Sequence, residues 1–367
     1  MITIVLQRVI IMFKGIKGHK QRVVIKDEDG NLREPIKEGF NPELFSQSLS
    51  AKTYRENRQL LEDFTDEMDP GVLAYWAAYG VKKELFDQDD QEGKYRYSVH
   101  QPMVMEAGQK YPLLYYSHGG FGTPFQAETI GFSKLIATEH FMVIYPNNGG
   151  FSNEEAPSEF KRIIDVLKEK KYPVDWTRVY VSGYSSGSDA TESIATLWPE
   201  RIAAAAPCPG SNAMYNSLCR TSEEAYEKCL DNQVPLLCVG GTMDYGDAFP
   251  YPDQACYENF TIWANKIARV DSYQNLSFED ARIMMDHTED SVKKAIGLDF
   301  NATWIEHLEE RDWLFGAFYD ADHRPVIQFI CGEGIPHITS GIHASLVWNH
   351  LKKWSRDLET GKLLYKS

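Results

Sequence analysis

Apolar runs and amphipathic stretches alternate along the chain from residue 95 onward. Runs such as "YPLLYYS" and "FMVIYP" are apolar almost throughout, as expected of strands that are covered on both faces. The stretch "PSEFKRIIDVLKEKKY" has apolar residues spaced i, i+3, i+4 and i+7, namely Phe160, Ile163, Ile164 and Leu167. That spacing places them on one face of a helix. Strands that alternate with helices over short links predict a mostly parallel sheet with helices on both faces, an α/β fold.

The same alternation continues to the C-terminus. Further strands are predicted at "TRVYVSG", "RIAAAAPCPG" and "VPLLCVGGT", and helices at "AETIGFSKLIATEH" and over residues 186–198. A late hairpin is predicted to turn near Asp320 to His323. The final stretch "HASLVWNHLKKW" predicts a helix whose inward face carries four apolar residues, Ala344, Val347, Leu351 and Trp354.

This pattern divides the chain into two parts. Residues 1–94 are expected to form an N-terminal extension, with a hairpin that turns at Asp29-Gly30 and mostly charged helices over 43–88. Residues 95–367 are expected to form the α/β domain. The extension has three candidate roles, namely covering the functional site, mediating homodimerisation or padding the edge of the sheet, and our hypothesis is homodimerisation.

Two stretches interrupt the alternation within the α/β domain, at about 212–232 and 248–318. Both are polar and rich in aromatic residues. We interpret them as insertions above the sheet that form a lid or a substrate wall. Ligands of such sheets bind at the carboxyl ends of the strands, where these insertions would lie.

Composition narrows the function further. With 43% hydrophobic and 13% aromatic residues in 367, the chain can bury a large core, and its formal charge of −15 disfavours binding to nucleic acid or to an anionic membrane. No run of 18 apolar residues predicts a membrane span. Gln7 and Arg8 interrupt the apolar N-terminus and no small-residue cleavage site follows, so we expect a cytoplasmic protein with reduced cysteines. The six cysteines form no C-x-x-C pair, so a zinc site is not expected.

The segment "VYVSGYSSGSDATES" contains Gly-x-Ser-x-Gly at 183–187, between a predicted strand and a predicted helix. A sharp strand-to-helix turn needs glycines at both ends because the backbone crowds its neighbours there. Such a turn raises the hydroxyl of Ser185 above the sheet and directs the amide of Ser186 toward a developing oxyanion. The alternative is a glycine-rich turn with a solvated serine. The setting favours a nucleophile.

A nucleophilic serine needs a base and an acid that orients the base, in the chain order Ser, Asp or Glu, His for this kind of fold. Asp244 follows the predicted strand "VPLLCVGGTM", and Asp247 is the alternative. His337 follows the last predicted strand in the loop "GEGIPHITSG". His343 falls within the final helix, so we expect a structural role for it.

A second oxyanion donor usually comes from the loop after an early strand, and "YYSHGGFGT" is such a loop. Its glycines permit close approach of the backbone to a ligand. Gly120 is the first choice for the donated amide and Phe121 the second. His118 precedes the serine in the chain, so we expect it to brace the loop by hydrogen bonding rather than to act as the base.

The stretches "YPLLYYSHGGFG", "YPVDWTRVYVSGYSSGS", "WPERIAAAAPCPG", "VPLLCVGGTMD" and "GIPH" resemble the esterase family of polyhydroxybutyrate depolymerases and feruloyl or acetylxylan esterases, within the α/β-hydrolases. The resemblance covers roughly residues 95–367, with gaps at the insertions. It implies an α/β-hydrolase fold with Ser185, Asp244 and His337 as the catalytic residues and with the oxyanion loop at 118–120. The chain departs from the family at Gly240, where a histidine is common.

Motif and resemblance together predict a serine carboxylic-ester hydrolase that forms an acyl-enzyme. The expected substrates are a small acyl, feruloyl, acetyl-sugar or hydroxyalkanoate ester, either small or part of a carbohydrate or polymer. The alternatives are a serine peptidase or an acyltransferase on the same fold, or a binding protein that has kept the fold without catalysis.

Overall fold

A computed structural model describes residues 24–26, 32–33, 59–60, 63–64, 66–90, 93–120, 122–147, 155–208, 232–243, 284–285, 300, 302–309, 311–336, 339 and 341–367. Within these ranges, no helix is long and apolar enough to cross a membrane.

Fifteen strands lie within the described ranges. They are β1 Val24–Lys26, β2 Leu32–Arg33, β3 Val81–Asp90, β4 Gly93–Pro102, β5 Tyr111–Ser117, β6 Met142–Pro146, β7 Val174–Gly183, β8 Ala204–Pro207, β9 Leu236–Met243, β10 Met284–Met285, β11 Ala302–Leu308, β12 Arg311–Tyr319, β13 Pro325–Pro336, β14 Trp354–Arg356 and β15 Leu363–Tyr365. The α-helices are α1 Pro70–Ala78, α2 Pro124–Glu128, α3 Phe132–Glu139, α4 Glu155–Glu169, α5 Ser186–Leu197 and α6 Gly341–Leu351.

Ten of these strands form one sheet in the order β11-β12-β13-β9-β8-β7-β5-β6-β4-β3. The six strands from β13 to β6 run parallel to one another, and antiparallel pairs stand at both edges. A parallel sheet that is extended by an antiparallel hairpin at its N-terminal edge, with helices in the crossovers, is the α/β-hydrolase fold. The predicted fold class is confirmed.

Helices cover both faces of the centre of this sheet. All seven residues of β5 and all five of β6 are buried, and because side chains alternate between faces, each face must be covered. Helix α4 packs on α5, and α3 packs on α6. The four residues that predict the apolar face of α4 are all at most 2% exposed, which confirms that face.

The sheet begins earlier than residue 95. Strand β3 pairs with β4 along its whole length, from Val81 opposite Pro102 to Asp90 opposite Gly93. The boundary at 94/95 therefore falls inside the sheet, and residues 81–88, the last part of the segment expected to form charged helices, belong to strand β3. The helix prediction is wrong here because β3 is an edge strand. One side of an edge strand is exposed to solvent, so the strand carries charged residues and lacks the apolar pattern of a central strand.

Three further differences concern single elements. Strands β11 and β12 belong to the sheet although the predicted insertion extends to residue 318. The helix predicted over 127–140 is divided into α2 and α3, because Gly131 between them adopts a φ of 131° that continues no helix. Helix α6 ends at Leu351, so the buried Trp354 lies in β14. The strands of the hairpin expected near Asp29 are present, since β1 pairs antiparallel with β2.

Candidate active site

The turn between β7 and α5 has the geometry of a nucleophile elbow. Ser185, the residue before α5, has φ 55° and ψ −121°, a conformation that L-residues with a side chain rarely adopt. Such a backbone costs of order 1–3 kcal/mol and persists only when the surroundings fix it. The side chain of Ser185 is half-buried at the carboxyl end of β7, the edge of the sheet where ligands of α/β folds bind.

Both glycines of the motif are required by close contacts. A Cβ on Gly183 would lie 2.1 Å from the carbonyl oxygen of Gly187, and a Cβ on Gly187 would lie 2.3 Å from the carbonyl oxygen of Ser117. The elbow is closed by a hydrogen bond from the amide of Gly187 to the carbonyl of Tyr184, at 2.8 Å. The strand-to-helix turn that the motif predicts is therefore present.

The amide of Ser186 opens helix α5. As the first residue of the helix, it has no carbonyl one turn earlier to accept its N–H. The helix dipole adds partial positive charge at this end, which favours an anion there. This position suits a donor to an oxyanion, as the sequence predicts for Ser186.

The glycine loop after β5 lies directly against the elbow. A Cβ on Gly119 would lie 2.7 Å from the ring of Tyr184, so the tyrosine of "GYSSG" packs on the loop. The amide of Gly122 donates to the carbonyl of Gly119 at 3.0 Å, which closes a tight turn with Gly120 exposed in it. The structure thus brings the elbow and the predicted oxyanion loop together. Phe121, the second choice for the donor, lies outside the described residues.

His118 braces this loop, as the sequence predicts. Its Nδ1 lies 2.7 Å from the carbonyl oxygen of Gly119, and its Nε2 lies 2.6 Å from the carbonyl oxygen of Asn147, just past β6. The ring is 4% exposed. The sequence gives no signal for Asn147, because this residue contributes a backbone carbonyl, which every residue type has.

Asp244, Asp247 and His337 lie outside the described residues. The residues that directly precede Asp244 and His337 are described and are neighbours. Met243 at the end of β9 pairs with Pro336 at the end of β13 in the parallel register. Chain segments that leave paired positions of parallel strands emerge at the same edge of the sheet. The strand ends that precede Asp244 and His337 are therefore adjacent, on the edge that carries Ser185.

The described histidines other than His118 occupy places that do not suit a general base. His100 and His343 are at most 1% exposed and His350 is 5% exposed. Burial lowers the pKa of His343 to about 3. His140 precedes β6 and His323 precedes β13, so both lie toward the amino ends of parallel strands, opposite Ser185, and His307 lies on the edge hairpin, 3.0 Å from Asp312. Among the described residues, no cluster of three metal-ligating side chains is placed to hold a metal ion.

Two described residues that follow His337 in the chain, Thr339 and Gly341, have defined neighbours. Thr339, 7% exposed, lies beside the phenol of Tyr116, the penultimate residue of β5. Burial raises the pKa of Tyr116 well above its ordinary value, while Thr339 acts in the opposite direction. Further on, a Cβ on Gly131 would lie 3.0 Å from the Cα of Gly341, the first residue of α6. Thr339 therefore lies beside β5, which pairs with β7, the strand that leads into the elbow.

Fold and elbow together define an α/β-hydrolase. No family model matches the chain. The chain is 29% identical over 194 residues to a bifunctional acetylxylan esterase/xylanase of Neocallimastix patriciarum, covering 47% of this chain and 27% of the relative. It is 34% identical over 128 residues to a poly(3-hydroxyalkanoate) depolymerase C of Paucimonas lemoignei, covering 30% of each. The resemblance to this group of esterases is thus confirmed.

The chain spans less than a third of the length of each curated relative that it matches. Among solved structures, a feruloyl esterase module from Clostridium thermocellum, complexed with sinapinate, aligns at 15% identity over 74% of this chain and 87% of that one, with a TM-score of 0.43. A TM-score below 0.5 at 15% identity supports no conclusion about this chain, so the fold assignment depends on the strand order of the sheet.

Proposed function

We propose that the chain is a serine carboxylic-ester hydrolase that works through an acyl-enzyme on Ser185. In this mechanism His337 takes the proton of Ser185 as Oγ attacks the ester carbonyl, and Asp244 holds the imidazole in the required tautomer. The amides of Ser186 and Gly120 bind the oxyanion of the tetrahedral intermediate. The alcohol leaves with the proton from His337, and water then hydrolyses the acyl-enzyme by the same steps.

The elbow is the observation that carries this proposal. A serine held at φ 55° between two glycines that admit no Cβ, beside a glycine turn, is a costly arrangement for a solvated turn residue. It is the arrangement that acyl transfer needs, since the nucleophile must stand clear of the backbone next to oxyanion donors. The pairing of Met243 with Pro336 supports Asp244 and His337 as the partners of Ser185, because it brings together the chain segments that lead into them.

The relatives support two substrate classes. One is named for acetylxylan and the other for poly(3-hydroxyalkanoate), so we propose an acetyl-sugar ester or a hydroxyalkanoate ester as the natural substrate, with feruloyl esters as the third class to test. All three share a carboxylic ester of a small or planar acyl group.

Hydrolysis of p-nitrophenyl acetate and butyrate by the wild type and by Ser185→Ala tests the proposal. We expect turnover by the wild type, loss of turnover in Ser185→Ala, and a rate that falls in acid near pH 6.5 as the base becomes protonated. Ser193→Ala is the matched control, since Ser193 lies on the same helix and its buried hydroxyl has no hydrogen-bond partner among the described residues. It should keep the wild-type rate.

Labelling by a fluorophosphonate separates catalysis from mere binding. The probe should modify Ser185 in the wild type and in Ser193→Ala. A folded wild-type protein that neither turns over the esters nor reacts with the probe would contradict the proposal. Full activity in Ser185→Ala would contradict it equally.

A further inference from the structure

A cluster of buried polar side chains joins helix α2 to the edge strands β3 and β4. Its centre is Glu128, the last residue of α2, which is 0% exposed. Ser98 donates its hydroxyl to the carboxylate at 2.7 Å, and the ammonium of Lys83 lies 2.9 Å from it. Nε2 of His100 lies 3.4 Å from the same carboxylate. Strand β3 contributes Lys83, and β4 contributes the other two partners.

The cluster continues beyond Glu128 on two sides. Nδ1 of His100 lies 2.8 Å from the hydroxyl of Ser133 on α3, which in turn lies 2.7 Å from the hydroxyl of Tyr145 on β6. Lys83 also lies 3.6 Å from Glu67. Burial lowers the pKa of His100, although the charge of Glu128 and the contact with it oppose the shift. Burial would raise the pKa of Glu128, but His100 and Lys83 hold it below its ordinary value, so Glu128 is ionised.

Stability alone does not account for such a cluster. Taking two charges out of water costs about as much as their attraction returns, and apolar side chains of similar size often serve a core as well or better. What a paired and hydrogen-bonded charge adds is a single permitted arrangement, because any shift leaves a buried charge without its partner. The cluster therefore restricts the position of the element that carries its central carboxylate.

That element is α2, and α2 follows the oxyanion loop directly. The turn from Gly119 to Gly122 is followed by Thr123, whose hydroxyl accepts the amide of Gln126 at 3.2 Å and so caps the helix. With five residues, α2 is about 7.5 Å long, so the position of Glu128 determines where the helix begins. Lys83 also lies 5.0 Å from the ring centre of Phe125, a second contact to the same helix.

We propose that Glu128, held by Lys83, Ser98 and His100, is a positioning residue that fixes the oxyanion loop against the elbow. His118 and β5 hold the N-terminal side of the loop, and the buried cluster holds its C-terminal side through α2. The inference rests on the proposed esterase function. It also gives β3 a role, since Lys83 is one of the residues that anchor the loop.

The variant Glu128→Gln tests the inference, because it keeps the shape of the side chain and removes its charge. We expect kcat for p-nitrophenyl acetate to fall ~10- to 100-fold, with KM nearly unchanged. The larger of these factors equals the smallest effect typical of losing one oxyanion donor outright. The affinity for a trifluoromethyl ketone, which mimics the tetrahedral intermediate, should fall by the same factor. A merely structural role would lower the folded fraction and leave kcat per folded molecule unchanged.

Two variants serve as controls. Glu139→Gln removes a carboxylate that accepts from Trp348 and Lys352 at 2.9 and 3.0 Å, remote from the loop. Arg356→Met removes a buried cation that donates to three backbone carbonyls, those of Ile202, Gly361 and Gln233. Both should lower stability without changing kcat or the affinity for the ketone.

The double variant Lys83→Met/Glu128→Gln separates positioning from stability. It removes both charges, so it should regain stability relative to Glu128→Gln, but kcat should stay low. Recovery of both stability and kcat would overturn the inference, and so would an unchanged kcat in folded Glu128→Gln. Should Glu128→Gln fail to fold, Ser98→Ala removes one hydrogen bond to the carboxylate and should lower kcat several-fold in the same way; an unchanged kcat there overturns the inference.

Hydrogen exchange tests the loop without relying on activity. The amides of residues 118–123 should exchange faster in Glu128→Gln than in Glu139→Gln or the wild type. Equal exchange in all three proteins would refute the positioning role even if the wild type showed no esterase activity. A wild type that is inactive but shows faster exchange in Glu128→Gln would instead refute the proposed function alone.

Discussion

Replacing Gly187 by alanine should separate the elbow from the oxyanion loop by a distance that the structure gives. The added Cβ would lie 2.3 Å from the carbonyl oxygen of Ser117 and 2.5 Å from that of His118. Both obstacles are backbone atoms, so no side-chain rotation can relieve them. Reaching an ordinary contact of 3.4 Å requires the start of α5 to move away from β5 by about 1 Å. A misplacement of about 1 Å in a catalytic site can cost ~10²-fold in rate.

We therefore expect Gly187→Ala to lower kcat for p-nitrophenyl acetate ~100-fold, and overpacking to lower the free energy of unfolding by about 1–3 kcal/mol. Gly316→Ala is the control. Gly316 lies on β12, four strands from β7, and a Cβ there would lie 2.6 Å from the ring of Phe300. It should lose comparable stability and keep its kcat. Steady-state kinetics, corrected for the folded fraction by circular dichroism, provides the measurement. A kcat in Gly187→Ala within twofold of the wild type would refute the reasoning.

Two other predictions concern stability. Burial lowers the pKa values of His343 and His350 to about 3, so the unfolded chain binds more protons between about pH 3 and pH 6.5 and stability falls as the pH drops through that range. From pH 6.5 to 5 this amounts to roughly 2 kcal/mol per histidine, so the loss measured by urea unfolding should be smaller by about that amount in His343→Gln than in the wild type; an equal loss in both proteins would contradict the prediction. Ser185→Gly should be about 1 kcal/mol more stable than Ser185→Ala, because glycine relieves the strain at φ 55° at some cost in chain entropy. Equal stability of the two variants in the same assay would show that the serine is not strained.

The parts of the fold that the sequence predicts are those whose signal is local. Strands β5 and β6 are apolar because the sheet is covered on both faces, and α4 shows its buried face in its spacing. Strand β3 has no such signal. Its sequence "VKKELFDQDD" is charged, and Lys83 is buried only because Glu128, 45 residues later, lies beside it. A contact of that range leaves no trace in the pattern of β3 itself.

The same distinction holds for the candidate site. The turn at Ser185 could be predicted because both glycines that it needs stand within the five residues of the motif. The bracing role of His118 could be inferred from its place in the chain, but its partner Asn147 could not, since a backbone carbonyl is offered by every residue type. The anchoring of α2 by Glu128 is likewise invisible in sequence. An isolated glutamate at the end of a short helix is ordinarily exposed.

The strain at Ser185 also explains why α5 is buried so completely. A residue at φ 55° would relax if the helix behind it could rotate or shift along its axis. Ten consecutive residues of α5, 187–196, are buried, including the polar side chains of Asp189 and Glu192. The hydroxyl of Ser188 donates to the carbonyl of Gly183 at 3.0 Å and accepts from the amide of Cys208, the residue after β8, at 3.1 Å. Because these contacts would break in the movement that relieves the strain, the packing of α5 holds the serine where the proposed mechanism places the attacking oxygen.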